Sequence, residues 1–185
     1  MPVVIALLRA VNVGGHAVIK MDALRALFSS LKCKDVQTYV QSGNVVFRTD
    51  EKDLAKLAKR IQTTIAKKFG VIPDVMLRTT ADMRDVVARN PFAQRKDIEP
   101  AKLHVSFLVA KLSQNAHDLL AVLPLKVEKL VPSGSELFIY FPNGAGKSKL
   151  PWRKVDKICQ TQGTARNWNT VTRLLEMAEA LESQK

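Results

Sequence analysis

The sequence predicts an α+β fold of two tandem ferredoxin-like units, each a split β-α-β arrangement, related by an internal repeat. A Ser-Gly turn between two apolar runs occurs twice, as YVQSGNVVF and as LVPSGSELFIYF. Apolar periodicity indicates the order β-α-β-β-α-β in both halves. The spacing from hairpin glycine to final helix cap also matches closely, since Gly43 to Thr80 spans 37 residues and Gly134 to Asn169 spans 35.

In the first half, apolar runs predict the strands, and apolar residues three and four apart predict the helices. The strands are predicted at Val3–Val11, Val36–Gln41, Asn44–Arg48 and VIPDVMLR, and the helices at Asp22–Lys32 and from a cap at Asp50 to Gly70. Pro73 favours a sheet edge for the last strand, since proline cannot donate to a neighbouring strand. Thr79 or Thr80 is expected to cap a third helix that ends before Pro91.

The second half repeats this order. The strands are predicted at Leu103–Ala110, Val127–Val131, Glu136–Phe141 and in GTARNW, and the helices after a Ser113 cap, at Lys149–Gln160 and after an Asn169 cap. The boundaries are therefore residues 1–90 for unit one, 91–102 for a linker and 103–185 for unit two. Side chains at helical or alternating spacing are predicted to form the core, namely Leu24, Phe28, Leu54, Ile61, Val105, Phe107 and Leu174.

Four stretches together resemble a bacterial family, the domain of unknown function 1697: LLRAVNVGGH, YVQSGNVVF, SGSELFIYFPNGAGKSKL and TARNWNTVTRLLEMA. The resemblance covers residues 3 to 180. The family usually has Gly in its first motif where this chain has Ala10. The resemblance implies an α+β fold of two linked ferredoxin-like units, and it implies no activity, because none is assigned to the family.

The composition is that of a basic globular protein. Hydrophobic residues make up 46% and charged residues 25% of the 185 residues, and the net charge is +12. The surplus is dispersed, and its densest cluster is predicted on the helix from Leu54 to Phe69. A solvated helix face explains that cluster, while a polyanion footprint is the alternative, because folding gathers dispersed charges.

The start of the chain, MPVVIALLRAV, predicts a strand rather than a signal peptide. Basic residues do not precede its apolar run, and Arg9 interrupts the run. No apolar run approaches the roughly 20 residues that a membrane helix needs. We therefore predict a cytoplasmic protein with no membrane association, and the oligomeric state stays open.

The loop VNVGGHAVIK is longer than the repeat requires. Ile5 to Gly43 spans 38 residues, whereas Ser106 to Gly134 spans 28. Loops that exceed the needs of a scaffold often carry function, and glycines allow a backbone to approach a ligand closely. The candidate ligand-binding residues in this loop are Asn12, Gly14, Gly15 and His16, and Arg9 flanks it.

Two other segments supply candidate residues. Tyr39 and Gln41 are expected on one face of the strand that enters the first hairpin. In TARNWNTV, Arg166, Asn167 and Trp168 either form a binding surface or serve as a helix cap with a buried indole. If the two units pack about a pseudo-twofold axis, Arg166 and Asn167 converge with Arg9, Asn12, Gly14 and Gly15 on one pocket, with Tyr39 and Gln41 nearby.

These residues favour a binding module for an anionic ligand, namely a nucleotide, a nucleic acid or a phosphorylated metabolite. One alternative is a small metal-independent enzyme that uses Arg9, Asn12, His16 and the Arg166–Asn169 segment. A second alternative is a protein-interaction domain. Catalytic residues are not identifiable, because no motif pairs a nucleophile with a base.

The stretch PNGAGKSKL imitates a phosphate-binding loop, but Phe141 occupies the position where that pattern requires glycine. It either presents backbone N–H groups to an anion or connects a hairpin to a helix. No cofactor is expected. No metal is expected either, because the three histidines lack ligand spacing. Cys33 and Cys159, both predicted in helical stretches, are expected to be free thiols.

Overall fold

The computed structural model describes residues 1–12 and 18–184, which form six α-helices and eight β-strands. The strands build two four-stranded antiparallel sheets, so the α+β class is confirmed. Two compact units are present, one of Met1–Arg84 with Arg173–Lys185 and one of Asp85–Thr172. This division assigns the end of the last helix to the first unit, whereas the predicted boundaries follow the chain order.

The first sheet has the strand order β2-β3-β1-β4. Its elements in chain order are β1 (Val3–Leu8), α1 (Met21–Ser30), β2 (Lys34–Tyr39), β3 (Asn44–Arg48), α2 (Leu54–Phe69), β4 (Val75–Thr79) and α3 (Thr80–Ala88). The strand that follows Pro73 lies at the edge of the sheet, which confirms the prediction made from this proline. β1 is shorter than predicted because the chain turns after Leu8.

The second sheet has the strand order β6-β7-β5-β8. Its elements in chain order are β5 (Leu103–Leu108), α4 (Gln114–Ala121), β6 (Lys129–Ser133), β7 (Glu136–Tyr140), α5 (Trp152–Cys159), β8 (Gly163–Asn167) and α6 (Trp168–Ser183). Short 3-10 turns at Pro100–Lys102 and Ala145–Lys147 precede β5 and α5. The last helix begins one residue before the predicted cap.

Helix caps explain where α2 begins and ends. The Asp53 side chain accepts a hydrogen bond from the backbone N–H of Lys56 at 3.0 Å, so the predicted cap at Asp50 is wrong. Only the residue directly before the first turn reaches the unpaired N–H groups of that turn. Gly70 ends the helix at φ 72°, a left-handed conformation that glycine adopts without steric cost, as predicted.

The helices that follow the two edge strands β4 and β8 are capped by the last residue of each strand. The Thr79 hydroxyl accepts from the N–H of Asp82 at 3.0 Å, so Thr79 is the cap of the two residues that were predicted. The Asn167 side chain accepts from the N–H of Thr170 at 2.9 Å. The predicted cap at Asn169 is therefore wrong, because this residue already lies inside α6.

The core prediction is confirmed at six of its seven positions, where Leu24, Phe28, Ile61, Val105, Phe107 and Leu174 are fully buried. Leu54 is only half-buried, because it is the first residue of α2. The buried side of that helix consists of Leu57, Ile61 and Ile65.

The two hairpins differ in loop length, so the predicted equivalence of the Ser-Gly turns is wrong. Tyr39 pairs with Asn44, which leaves four residues in the first loop. Ser133 pairs with Glu136, which leaves two residues in the second loop. Strand register decides loop length, and a repeated dipeptide does not reveal register.

Candidate functional site

The side chains that follow β1 are engaged within the first unit. Arg9 is exposed and forms an ion pair with Asp74 at 3.1 Å. The Asn12 amide donates to the carbonyl of Ile19 at 3.0 Å and accepts from its N–H at 2.6 Å. The predicted residues Gly14, Gly15 and His16 lie outside the described residues.

Tyr39 and Gln41 do not share a strand face. Tyr39 is the half-buried last residue of β2, whereas Gln41 is exposed in the four-residue turn. The prediction extended the strand by two residues because the sequence shows no turn signal before Ser42. Val40, the first residue of the turn, has φ 49°, which a β-branched residue rarely adopts.

Arg166 is buried within β8. Its guanidinium donates to the Thr164 hydroxyl at 2.7 Å and to the carbonyl of Ala165 at 2.9 Å. Burial lowers the pKa of this guanidinium to about 10, so the group still carries its charge at neutral pH. It is therefore a buried cation within a polar setting.

The first unit has an arginine at the same position of its own sheet, which sequence reasoning missed. Arg78 on β4 pairs with Ile5, just as Arg166 on β8 pairs with Val105. Arg78 donates to the carbonyl of Leu77 at 3.0 Å, which matches the bond from Arg166 to its preceding residue. Each arginine directly precedes the cap of the next helix, and this spacing could have revealed the pair.

Asn167 and Trp168 have different roles. The Asn167 side chain serves as a helix cap. Trp168 is half-buried and lines a cavity of about 310 Å³ in the second unit. The other apolar walls of this cavity are Val87, Phe92, Ala93, Ile98, Pro100 and Leu103.

Arg95 also lines this cavity, and it forms two hydrogen bonds with the carboxylate of Asp97. These bonds raise the pKa of the arginine and lower the pKa of the aspartate. The cavity is therefore largely apolar, and the charge of its arginine is paired with that of an aspartate.

Arg9 belongs to the first unit and Arg166 to the second, and their predicted convergence stays a prediction.

The glycine-rich stretch before α5 has the properties of a connection. Four consecutive backbone N–H groups, those of residues 147 to 150, donate within the unit, at 2.6 to 3.1 Å. The acceptors are, in chain order, the carbonyls of Gly144 and Ala145, a carboxylate oxygen of Glu128 and the hydroxyl of Ser148. Since these groups are already used, the structure favours the connecting role over a phosphate cradle.

The helix α2 carries the basic surface that the sequence located. Five cations and no acid lie between its first and last residues. An open cavity of about 270 Å³, called here the basic groove, lies beside it. The lining residues of the basic groove are Leu31, Lys56, Lys59, Arg60, Thr63 and Thr64.

Helical geometry explains why these side chains share one face. With 3.6 residues per turn, Lys56, Lys59, Arg60 and Thr63 follow the i, i+3, i+4, i+7 spacing of a single stripe. The buried residues of α2 form the opposite stripe. The groove therefore combines three cationic side chains with hydroxyl groups.

Little negative charge faces the basic groove. Among the described contacts, Glu51 lies 3.6 Å from Arg60. Burial raises the pKa of the Cys33 thiol to about 11, and the positive charge of Arg60 partly opposes this rise. Cys33 is therefore a neutral thiol at physiological pH, and it lies just after α1 rather than in a helix.

Among residues 1–12 and 18–184, no three His, Cys, Asp or Glu side chains cluster in a way that would hold a metal ion. Both cysteines are free within the described structure, as predicted. No helix in these same segments combines the length and the apolar character that spanning a bilayer requires.

Comparison with solved structures finds the conserved bacterial protein SP0830 from Streptococcus pneumoniae. The two chains are 22% identical, and the match covers 96% of this chain and 98% of the other with a TM-score of 0.68. At this identity the similarity establishes a shared fold. No curated protein matches the chain.

A family model described as a protein of unknown function (DUF1697) matches residues 1–138. The match includes LLRAVNVGGH and YVQSGNVVF, whereas TARNWNTVTRLLEMA lies beyond it. Since the match covers about three quarters of the chain, the protein belongs to the DUF1697 family, as its sequence motifs indicated.

Proposed function

We propose that the protein is a binding module for a phosphate-bearing anionic ligand, which it holds in the basic groove. The observation that carries the proposal is the grouping of Lys56, Lys59 and Arg60 with two threonine hydroxyls around one cavity. Lysine and arginine recognise phosphate through charge-assisted hydrogen bonds, and hydroxyls add neutral donors.

The position of these cations along α2 supports the interpretation that they bind an anionic ligand over the alternative that they only contact solvent. The N-terminal end of a helix carries partial positive charge, so acidic residues stabilise the first turns and basic residues destabilise them. Here the Asp53 cap is the acid at the start of α2, the first turn itself has none, and Lys56 occupies its third position. A bound anion would add to the compensation that Asp53 provides.

The size of the groove limits what enters it. A volume of about 270 Å³ lies just below the range of about 300–1,000 Å³ that encloses drug-sized ligands. The groove is therefore suited to a phosphate group with a small attached body, or to one segment of a polyanion that continues into solvent.

We also propose that the two units are ferredoxin-like copies that arose by duplication. The strand order is the same in both sheets: counted within each unit, it is second, third, first and fourth. The edge-strand arginines Arg78 and Arg166 occupy equivalent registers, and a helix cap follows each of them. Superposition of the two units in an experimental structure would test this: a strand offset of one residue or more would contradict it.

The test of the binding function uses inorganic tripolyphosphate as the probe, titrated by calorimetry. We expect Lys59→Ala to weaken binding about tenfold, because one charge-assisted hydrogen bond is worth roughly 1.5–3 kcal/mol. Lys68→Ala provides the matched control, since it removes the same charge from the same helix outside the groove. Equal weakening by both variants, or no heat with the wild type, would overturn the proposal.

A further inference from the structure

The second unit carries an exposed indole at the first position of α5. Trp152 is 42% exposed, although tryptophan is usually among the most buried residues on average. Its ring lies 6.3 Å from that of Phe141, tilted by 36°. Phe141 is itself buried and makes an edge contact with His104 at 5.2 Å.

These contacts hold the indole in place. One side of the ring is supported from within the unit, and the chain before it is fixed by Pro151. The backbone N–H of Trp152 also donates to the carbonyl of Leu150 at 2.8 Å, which fixes the main chain from which the indole projects. A rigid aromatic side chain binds with a low cost in conformational entropy, because little freedom remains to be lost.

Basic side chains surround Trp152 in sequence. Residues 147–157 contain five cations and one acid, Asp156. All five cations are exposed, and none forms an ion pair with a described residue. The cations are Lys147, Lys149, Arg153, Lys154 and Lys157.

We propose that this surface, called here the Trp152 platform, binds single-stranded nucleic acid. A base stacks on the indole while the neighbouring cations bind backbone phosphates. Stacking on an aromatic ring combined with a positively charged surface is the general means of binding single strands. The bases of a single strand are free to stack, whereas those of a duplex are not.

The extent of the charge favours a polymer over a mononucleotide. The eight residues of α5 extend about 12 Å, and further cations lie in the segment before the helix. Such a length exceeds what one phosphate group would contact. The platform rests on observations independent of the basic groove, so the two proposals stand or fall separately.

Ferredoxin-like proteins that bind RNA place stacking aromatics on the open face of the sheet. In the second sheet of this protein the strand β7 is buried at all five positions, so both sides of that strand are covered. Tyr140 is buried, and its hydroxyl donates to the carbonyl of Asp97 at 3.2 Å. Tyr39 is half-buried. The helix-borne Trp152 is the aromatic side chain available for stacking in this part of the second unit.

The chain has two tryptophans, which permits a direct test. In a Trp168→Phe background, Trp152 is the remaining source of indole fluorescence. We expect a 12-mer of deoxythymidylate to quench this emission and to bind at least tenfold more tightly than an abasic 12-mer of equal charge. Equal affinity for the two probes would show that bases are not recognised and would overturn the proposal.

Substitution separates stacking from charge. Trp152→Ala should weaken binding of the thymidylate 12-mer about 5- to 150-fold, the range measured for loss of one stacked base. Trp152→Phe should retain most of the affinity, and Asp156→Asn should increase it by removing the one acid of α5. Lys68→Ala, on α2 outside the basic groove, serves as the control and should leave the quenching unchanged.

Circular dichroism of each variant establishes that it folds. If a folded Trp152→Ala protein binds the thymidylate 12-mer as tightly as the wild type, measured by anisotropy of a labelled probe, the platform is wrong. A weaker dependence of affinity on salt in Arg153→Ala would confirm that this side chain contacts a phosphate.

Discussion

The side chain of Asn12 forms two hydrogen bonds with the backbone of one residue, Ile19, and so joins the chain on either side of residues 13–17. Asn12 has φ 57°, a left-handed conformation that asparagine tolerates better than most residues. The amide therefore fixes the base of the loop that sequence reasoning singled out for ligand binding.

Asn12→Ala should lower the free energy of unfolding by about 1–3 kcal/mol, because two hydrogen bonds are lost. Asn12→Asp retains the acceptor for the Ile19 N–H but loses the donor to the Ile19 carbonyl. Its free energy of unfolding should therefore fall by less than that of Asn12→Ala. Urea denaturation measures both. If the two variants are as stable as the wild type, the Asn12 bonds do not hold the loop in solution.

Ala10→Gly should raise the stability by about 0.5–1 kcal/mol. Ala10 has φ 59°, where an L-residue with a Cβ is strained and glycine is not. The glycine usual in the family at this position therefore has a conformational reason. Ala55→Gly, at an exposed position of helix α2, is the matched control. Glycine is a poor helix former, so thermal melts should show that this change lowers the stability instead.

Gly163→Ala should destabilise the second unit by about 1–3 kcal/mol, because overpacking forces neighbouring groups to move. An added Cβ would lie 2.8 Å from Leu108 Cδ2 and 3.1 Å from the carbonyl oxygen of Phe107. Gly146→Ala is the control, since nothing lies within 4 Å of its added Cβ. Chemical denaturation that finds the two variants equally stable would contradict the packing around β8.

Stability should fall in acid partly through Glu128. Its carboxylate accepts from the backbone N–H of Lys149 at 2.6 Å, and this bond lowers the pKa of the carboxyl group below its ordinary value of 4.5. A lowered pKa contributes stability above pH 4.5, and this contribution is lost as the pH falls through the folded-state pKa. Glu128→Gln should weaken the dependence of stability on pH below 4.5, as urea denaturation at several pH values would show.

Periodicity predicted the order of strands and helices well, because burial of one face imposes a period of two or 3.6 on the apolar residues. It predicted caps less well. Asp50 and Asp53 are equally plausible caps in sequence, and only the first turn of α2 distinguishes them. Hairpin loop length also escaped prediction, since it follows from pairing between strands.

The candidate site was predicted in part. The basic cluster on α2 was located, but the sequence did not show that its cations line a cavity with Thr63 and Thr64. Trp152 was not singled out, because nothing in its local sequence separates an exposed indole from a buried one. The role of PNGAGKSKL depended on Glu128, which lies 21 residues before its backbone partner.

The different hairpin loops determine how the two halves of this chain are to be aligned with each other. Leu8 corresponds to Leu108, an offset of 100, since their N–H groups donate to the loop residues Gly43 and Ser135. An alignment that matches the identical letters instead pairs Gly43 with Gly134. For β3 and β7, that shift by a single residue would match positions on opposite sides of the two strands, so substitutions in opposite environments would be compared.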